Sequence, residues 1–342
     1  NLTASSGTKI FDPGTSVSNA YRSVVLNAGT ATYQLNNNLT MASGGVLTLT
    51  SGTFQLNGKT LSLTGAASGT TVISVGAATL YVDAGANLKL SDQTIITVNN
   101  ASSVFKVVGS SSSYASVSTN GSSATGYNIN QSAGVIHAKY FNFSSLRTTG
   151  IALSGTATID ATNNFSNGIF TSPASTGLTQ YLDVSGIALG TITASNTIFN
   201  VGTAGSKNVK SSAGTTGYIQ FVDASGALQG ASNENDDGVA ATGKVRWSYN
   251  GFFWTDAGND GNWFNTANWS GGSLPTATDN VYIDHSVKSG AFSNPVTVNN
   301  TGAVCNNLTI DAGAGTAITL SFTAAGVLTA SGNVSILTNN TF

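Results

Sequence analysis

The fold is decided by residues 46–64, which read VLTLTSGTFQLNGKTLSLT, and by later segments with the same rhythm. In the stretches 46–50, 54–57 and 61–64, apolar and polar residues alternate, and the intervening Ser-Gly and Asn-Gly pairs are typical of turns. Strict alternation over a few residues predicts short strands with one buried face. No helical spacing of apolar residues runs through this segment, so we expect very little helix.

The strands also recur at a longer period. Leu47, Val72 and Ile95 open alternating segments about 22 to 25 residues apart, a step expected of stacked coils. A hairpin-built sandwich is the competing architecture, because its strands recur every 8 to 12 residues or so. We favour coils because the loops are short and regular, and because Asn pairs such as 99–100 and 306–307 recur where amides can bond from coil to coil. The predicted fold class is therefore all-β, a parallel β-helix (β-solenoid).

The composition excludes several classes of protein. Only 12 of the 342 residues are Lys or Arg and 14 are Asp or Glu, so the charged share is 8%, against roughly 25% in typical globular proteins. A net charge of −2 provides no basic patch for phosphates, so we expect no nucleic-acid partner. No apolar run is long enough to span a membrane, and the single Cys excludes an internal disulfide. A charge-poor surface rich in Ser, Thr, Asn and Gly favours an extracellular location.

The composition changes once, where all four Trp residues occur within 247–269. We predict a parallel β-helix over residues 1–247 and an aromatic, Gly-rich connector over 248–275. Residues 276–342 resume the strand rhythm and are predicted to begin a second β-solenoid unit, which the chain truncates. At a strand spacing of about 4.8 Å, roughly ten coils in the first unit would form a rod on the order of 50 Å long.

The aromatic residues around this change are the first candidate binding site. Trp and Tyr rings can stack on sugars, but they can also cover the open end of a solenoid and so protect its strand edges. We favour the structural plug over the sugar platform. The candidate residues are Trp247, Tyr249, Phe252, Phe253, Trp254, Trp263 and Trp269.

Two loops rich in Asp, Asn and Gly are candidate calcium sites. Ca²⁺ prefers six to eight oxygen ligands, and each loop offers only part of such a set, without EF-hand spacing. We therefore favour hydrated turns over calcium, and no other cofactor is predicted. The candidate ligands are Glu234, Asp236, Asp237, Asp256, Asn259 and Asp260.

The sequence predicts no catalytic residue. Parallel β-helices that cleave polysaccharides need clustered carboxylates, whereas the acidic residues of the first unit are scattered singly. His137 and His285 are far apart in sequence and have no Cys partner nearby, which is a poor metal site. Cys305 is expected to be a small buried side chain. The chain is therefore predicted not to be an enzyme.

The residues 261–283 carry a motif that resembles a known family. From Trp263 to Ile283 they follow the pattern W-x-x-x-x-N-W-x-x-G-x-x-P-x-x-x-D-x-V-x-I. This pattern resembles the junctions between repeats of very large bacterial surface proteins, the adhesin-like cargo of the type IX secretion system. Segments 303–310 and 328–333 resemble the strands that follow in that family, and the resemblance covers about residues 205–342.

The resemblance implies a secreted β-helical protein of the bacterial cell surface. We expect a non-enzymatic structural or adhesive segment of a larger protein, which acts as a rigid spacer and contact surface. Its implied partners are other units of the same chain, a glycan or other cell-surface ligand, and the secretion machinery. The main alternative is a subunit of an extracellular filament assembled by β-strand addition. A polysaccharide-active β-helix enzyme is the less favoured alternative.

Overall fold

Strands dominate the molecule and stack as parallel coils. They account for 56% of the structure and helix for 2%, in a β-solenoid of about 11 turns, so the predicted parallel β-helix is confirmed. A computed structural model of the chain describes residues 1–14, 21–120, 125–200, 202–212, 217–230, 233–235, 244–248, 250–270, 272–284, 292, 295–312 and 317–336.

The chain divides into two compact units. Unit 1 comprises Asn1–Gln229 and Asn233–Ser248, and unit 2 comprises Gly230–Ser232 and Tyr249–Phe342. The described residues 250–270, predicted as a connector, contribute a strand and three Trp side chains to unit 2.

The described part of unit 1 contains 21 strands and the 3-10 turn Ala174–Thr176. The strands are β1 (Thr8–Phe11), β2 (Tyr21–Leu35), β3 (Leu39–Gln55), β4 (Thr60–Ser62), β5 (Thr71–Val82), β6 (Asn87–Leu90), β7 (Ile95–Val98), β8 (Val104–Val108), β9 (Ala115–Thr119), β10 (Tyr127–Gln131), β11 (Val135–Lys139), β12 (Phe141–Ser144), β13 (Leu146–Ser154), β14 (Thr158–Ser166), β15 (Ile169–Thr171), β16 (Gln180–Gly186), β17 (Thr191–Ser195), β18 (Ile198–Phe199), β19 (Lys207–Lys210), β20 (Tyr218–Val222) and β21 (Val245–Ser248).

The described part of unit 2 contains eight strands and one 3-10 turn, Thr266–Asn268. The strands are β22 (Phe252–Phe253), β23 (Val281–Asp284), β24 (Val296–Val298), β25 (Ala303–Cys305), β26 (Leu308–Asp311), β27 (Leu320–Phe322), β28 (Leu328–Ala330) and β29 (Val334–Ile336).

Each coil of unit 1 contributes to three faces, and its strands pair in parallel with the same face of the next coil. The first face has a buried aliphatic ladder with one side chain per coil. Because neighbouring coils lie about 4.8 Å apart, these side chains contact each other along the stack, and burying each contributes roughly 1.5–3 kcal/mol. The ladder comprises Val24, Leu47, Ile73, Ile96, Ile129, Ile151, Leu182 and Val209.

This ladder corrects the predicted register by one residue. Leu47 pairs with Ile73 and Ile73 with Ile96, whereas the series predicted from the sequence is Leu47, Val72 and Ile95. The coil length also varies more than predicted. The step is 22 residues from Leu39 to Leu61 and 33 residues from Ile96 to Ile129, because the corner loops differ in length.

The second and third faces complete the core of unit 1. The inward row of the second face contains Phe54, Leu80, Phe105, Ile136 and Ile159. The third face changes from aliphatic to aromatic along the stack, and all its inward residues are nearly or fully buried. Its inward row is Leu39, Leu61, Leu88, Val117, Phe143, Phe170 and Phe199.

Asn side chains bond from coil to coil in unit 2. The Nδ2 atoms of Asn306 and Asn307 donate to Oδ1 of Asn280 at 3.3 and 2.8 Å, and the backbone N–H of Asn333 donates to Oδ1 of Asn307 at 2.7 Å. The expected Asn ladder therefore exists at this corner. The Asn99–Asn100 pair differs, because Asn100 Oδ1 accepts instead from the Ser102 N–H of its own turn.

Candidate functional site

Three of the predicted aromatic site residues form the core of unit 2. Trp254, Trp263 and Trp269 are only 1–2% exposed. Trp269 meets Trp254 and Trp263 edge to face, with ring centroids 5.0 and 4.7 Å apart, and its Nε1 donates to the Trp263 carbonyl at 2.7 Å. Because neighbouring side chains cover these rings, they have no free face on which a sugar could stack.

Trp247 belongs to the core of unit 1 and is half-buried. Its ring stacks on Phe221, with centroids 4.9 Å apart and planes at 22°, and meets Phe199 edge to face at 5.8 Å. The indole Nε1 donates to the carboxylate of Glu234, one of the predicted calcium ligands. Trp247 and Glu234 therefore bond to each other within unit 1.

The remaining aromatic candidates lie at the start of unit 2. Phe252 and Phe253 are half-buried in β22, and Phe253 stacks on Tyr282 of β23 with centroids 5.3 Å apart. Tyr249 lies outside the described residues. The seven candidates therefore do not form one exposed platform in the described part of the chain.

The second candidate calcium loop is organised around the Asp260 carboxylate. This carboxylate accepts hydrogen bonds from the Asn262 backbone N–H at 3.0 Å and from the Nδ2 atoms of Asn265 and Asn268 at 2.8 and 2.7 Å. These bonds, that of Asn262 first, hold the pKa of Asp260 below its ordinary value. The donated hydrogens occupy lone pairs that a cation would need.

The other candidate ligands contribute mainly to turns. Asp256 and Asn259 adopt left-handed backbone conformations with φ of 54° and 53°, and the Asn259 N–H donates to the Asp256 carbonyl at 3.1 Å. Asp236, Asp237 and His285 lie outside the described residues. Within the described ranges, no three acidic, His or Cys side chains are grouped so that they could hold a metal ion.

The most varied row of polar side chains lies on the second face of unit 1. It is formed by the outward residues that alternate with the buried row, one per coil, and all are half-buried. We call it the polar row, and it comprises Gln34, Gln55, Tyr81, Lys106, His137 and Asp160.

Neighbours in the polar row bond to each other. Gln34 Nε2 donates to Gln55 Oε1 at 2.9 Å, and the Lys106 ammonium lies over the Tyr81 ring, 4.2 Å from its centroid. His137 Nδ1 lies 3.4 Å from Asp160 Oδ1. Three pairs of neighbours are therefore in contact, whereas Gln55 Nε2 donates to Asp83, outside the row, at 3.0 Å.

The electrostatics of the polar row do not create an activated base. Burial lowers the pKa of His137, with Lys106 acting in the same direction and Asp160 opposing it, so the imidazole is neutral at neutral pH. Burial, together with Asp83, raises the pKa of Tyr81, so its hydroxyl stays protonated. The Tyr81 ring is covered by the Lys106 ammonium and the His137 imidazole lies beside the Asp160 carboxylate, so both neutral groups are engaged within the row.

His137 was considered from the sequence only as a poor metal ligand, and the polar row was not predicted. Gln55, Tyr81, Lys106 and His137 are 25 to 31 residues apart from one to the next, and each follows a buried apolar residue. This spacing could have predicted the polar row from the sequence. Such a prediction requires the correct strand register, because a shift of one residue moves every side chain to the opposite side of the sheet.

Two further findings bear on function. Among the described residues, no helix is long and apolar enough to cross a membrane. Comparison of the chain with protein families, with curated proteins and with solved structures finds no match.

Proposed function

We propose that this chain is a non-enzymatic structural and adhesive segment of a large bacterial surface protein, acting outside the cell as a rigid spacer and contact surface. The observation that carries the proposal is the first-face ladder of unit 1, which continues through eight coils from Val24 to Val209. Each coil is hydrogen-bonded to the next along its strands, so bending the stack requires breaking backbone bonds.

The junction motif supports membership of the type IX secretion cargo proteins. Its residues Trp263, Asn268 and Trp269 are all buried in unit 2, and Asp279 accepts a backbone hydrogen bond from Thr276 at 2.8 Å. These roles give a structural reason for a fixed motif of Trp, Asn and Asp at a repeat junction. The proposed partners of this chain are other units of the same protein, the secretion machinery and a cell-surface ligand.

Immunolabelling tests the location, and an activity screen tests the absence of catalysis. Antibodies against the purified chain should label intact cells of the producing bacterium, and labelling only after permeabilisation would overturn the extracellular role. Incubation with neutral and acidic polysaccharides should release no new reducing ends. Release by the purified chain that persists at constant specific activity through further purification would establish an enzyme instead.

A further inference from the structure

The outer surface of the third face of unit 1 is shallow, with a tyrosine pair at one end of strand β9 and a cleft at the other end. Strand β9 points Ser116 and Ser118 outward, with Tyr114 just before it and Asn120 just after it. The neighbouring coils add Asn87 and Asn142, which pair with Ser116, and Lys89, which pairs with Ser118. The side chains between the two ends of β9 are short or half-buried, so the surface between these ends is shallow.

An exposed tyrosine pair lies at the first end. Tyr114 is 37% exposed and meets Tyr140 edge to face, with centroids 6.3 Å apart. Tyr140 has a backbone φ of 48°, a conformation that costs energy for a bulky residue and often marks functional sites. Unlike the Trp rings of unit 2, the Tyr114 ring is accessible.

A cleft lies at the other end. It has a volume of about 510 Å³ and is lined by Thr64, Gly65, Ala66, Ser91, Asp92 and Asn120. The Asp92 Oδ1 atom is buried and accepts no hydrogen bond from the described residues. The two ion pairs among those residues, His137–Asp160 and Lys210–Asp183, do not involve it. Asp92 as a residue is half-buried and lines the cleft, so it places a carboxylate group at the cleft wall.

We propose that this surface, from the Tyr114–Tyr140 pair to the Asp92 cleft, binds a neutral oligosaccharide chain. The inference rests on the proposed function as a contact surface and names its ligand class. An accessible aromatic ring suits the apolar face of a sugar, and carboxylate, amide and hydroxyl groups in a cleft suit its hydroxyls. Asp92 disfavours an acidic sugar there. The five residues of β9 separate Tyr114 from Asn120, and the six residue-to-residue steps span about 20 Å, which accommodates several sugar rings.

Titration calorimetry of the full chain with four neutral tetrasaccharides tests this inference. Cellotetraose, maltotetraose, mannotetraose and chitotetraose are the probes, and at least one should bind. Tyr114→Ala and Asp92→Ala should each weaken that binding about fivefold or more. Tyr81→Ala and Asp160→Asn, on the second face, are matched controls that should leave it unchanged. Asn120→Ala provides an independent variant at the cleft if Asp92→Ala fails to fold.

Two outcomes would overturn the inference. One is that none of the four sugars binds at millimolar concentration, and the other is that the second-face variants weaken binding as much as Tyr114→Ala does. Neither outcome affects the immunolabelling or the polysaccharide-cleavage test, so the proposed function stands or falls separately.

Discussion

A buried glutamine interrupts the apolar interior of unit 1. Gln131 lies on the first face between Val98 and Leu153 of the adjacent coils and is 1% exposed, and neither amide atom has a hydrogen-bond partner among the described residues. An unsatisfied buried polar group costs about 1–3 kcal/mol. We therefore expect Gln131→Leu, which nearly conserves volume, to raise the free energy of unfolding by about 1–3 kcal/mol in chemical denaturation.

Gln180 is the matched control for this substitution. It is 3% exposed, but its Oε1 accepts from Thr179 Oγ1 at 2.6 Å and its Nε2 donates to Asp183 at 3.4 Å. Gln180→Leu breaks these bonds and should therefore lower the free energy of unfolding. Equal destabilisation by the two variants would contradict the prediction.

The Asp260 carboxylate should make unit 2 sensitive to acid. Its pKa is lower in the folded chain than in the unfolded chain, because three N–H groups bond to the ionised form. Its contribution to stability is therefore present above its ordinary pKa and is lost as the pH falls through the lowered folded value. We expect the melting temperature of unit 2 to depend less on pH in Asp260→Asn than in the unmodified chain.

Asp12 provides the comparison in unit 1. Its pKa is also lowered, by hydrogen bonds from Asn37, Gly14 and Asn36 in decreasing order of effect. Asp12→Asn should alter the acid response of unit 1 and leave that of unit 2 unchanged. An unchanged acid response of unit 2 in Asp260→Asn would contradict the lowered pKa of Asp260 as a source of that response.

At the scale of the strand, the third face carries a stack of buried aromatic rings. Phe170 is fully buried and stacks on Phe143 and Phe199, with centroids 5.8 and 5.2 Å apart and planes at 19° and 9°. Replacing a buried Phe by Ala typically costs about 3–5 kcal/mol. We expect Phe170→Ala to destabilise unit 1 by that amount, measured by denaturant unfolding.

Phe322 of β27 is the control for the Phe170 variant. It is 40% exposed, so Phe322→Ala should cost less than about 1 kcal/mol. Similar losses of unfolding free energy in the two variants would mean that the stacked rings stabilise the fold no more than an ordinary surface contact does.

The strand register is the feature of the fold that the sequence did not determine. Alternation predicted strands at 46–50, 54–57 and 61–64, and these overlap β3 and β4, although β3 runs unbroken from Leu39 to Gln55. It could not choose between Val72 and Ile73, because both are apolar and both are fully buried. Which of the two stacks on Leu47 is decided by contact between coils, and the polar row on the second face depends on the same decision.

At the scale of the whole molecule, the described residues form two hydrophobic cores that share no residue. One core lies in unit 1 and includes Trp247 at its margin, and the other lies in unit 2 and includes Trp254, Trp263 and Trp269. Because each core is buried within its own unit, we expect two thermal unfolding transitions in calorimetry. Trp269→Ala should lower the midpoint temperature of the unit 2 transition and leave that of unit 1 unchanged within about a degree.

Phe170→Ala is the reciprocal control, since it should lower the midpoint temperature of the unit 1 transition only. A single cooperative transition shifted by both variants would contradict separate unfolding of the two cores.

The sequence by itself determined the all-β class and the coil repeat, because one-sided burial imposes a period of two and stacking imposes a period of about 25 residues. It also located the change of composition near Trp247. Only the tertiary structure decided that Trp254, Trp263 and Trp269 are buried while Tyr114 is exposed. The physical reason is that ring chemistry is the same in a core and on a surface, and only the neighbouring coils determine which rings are covered.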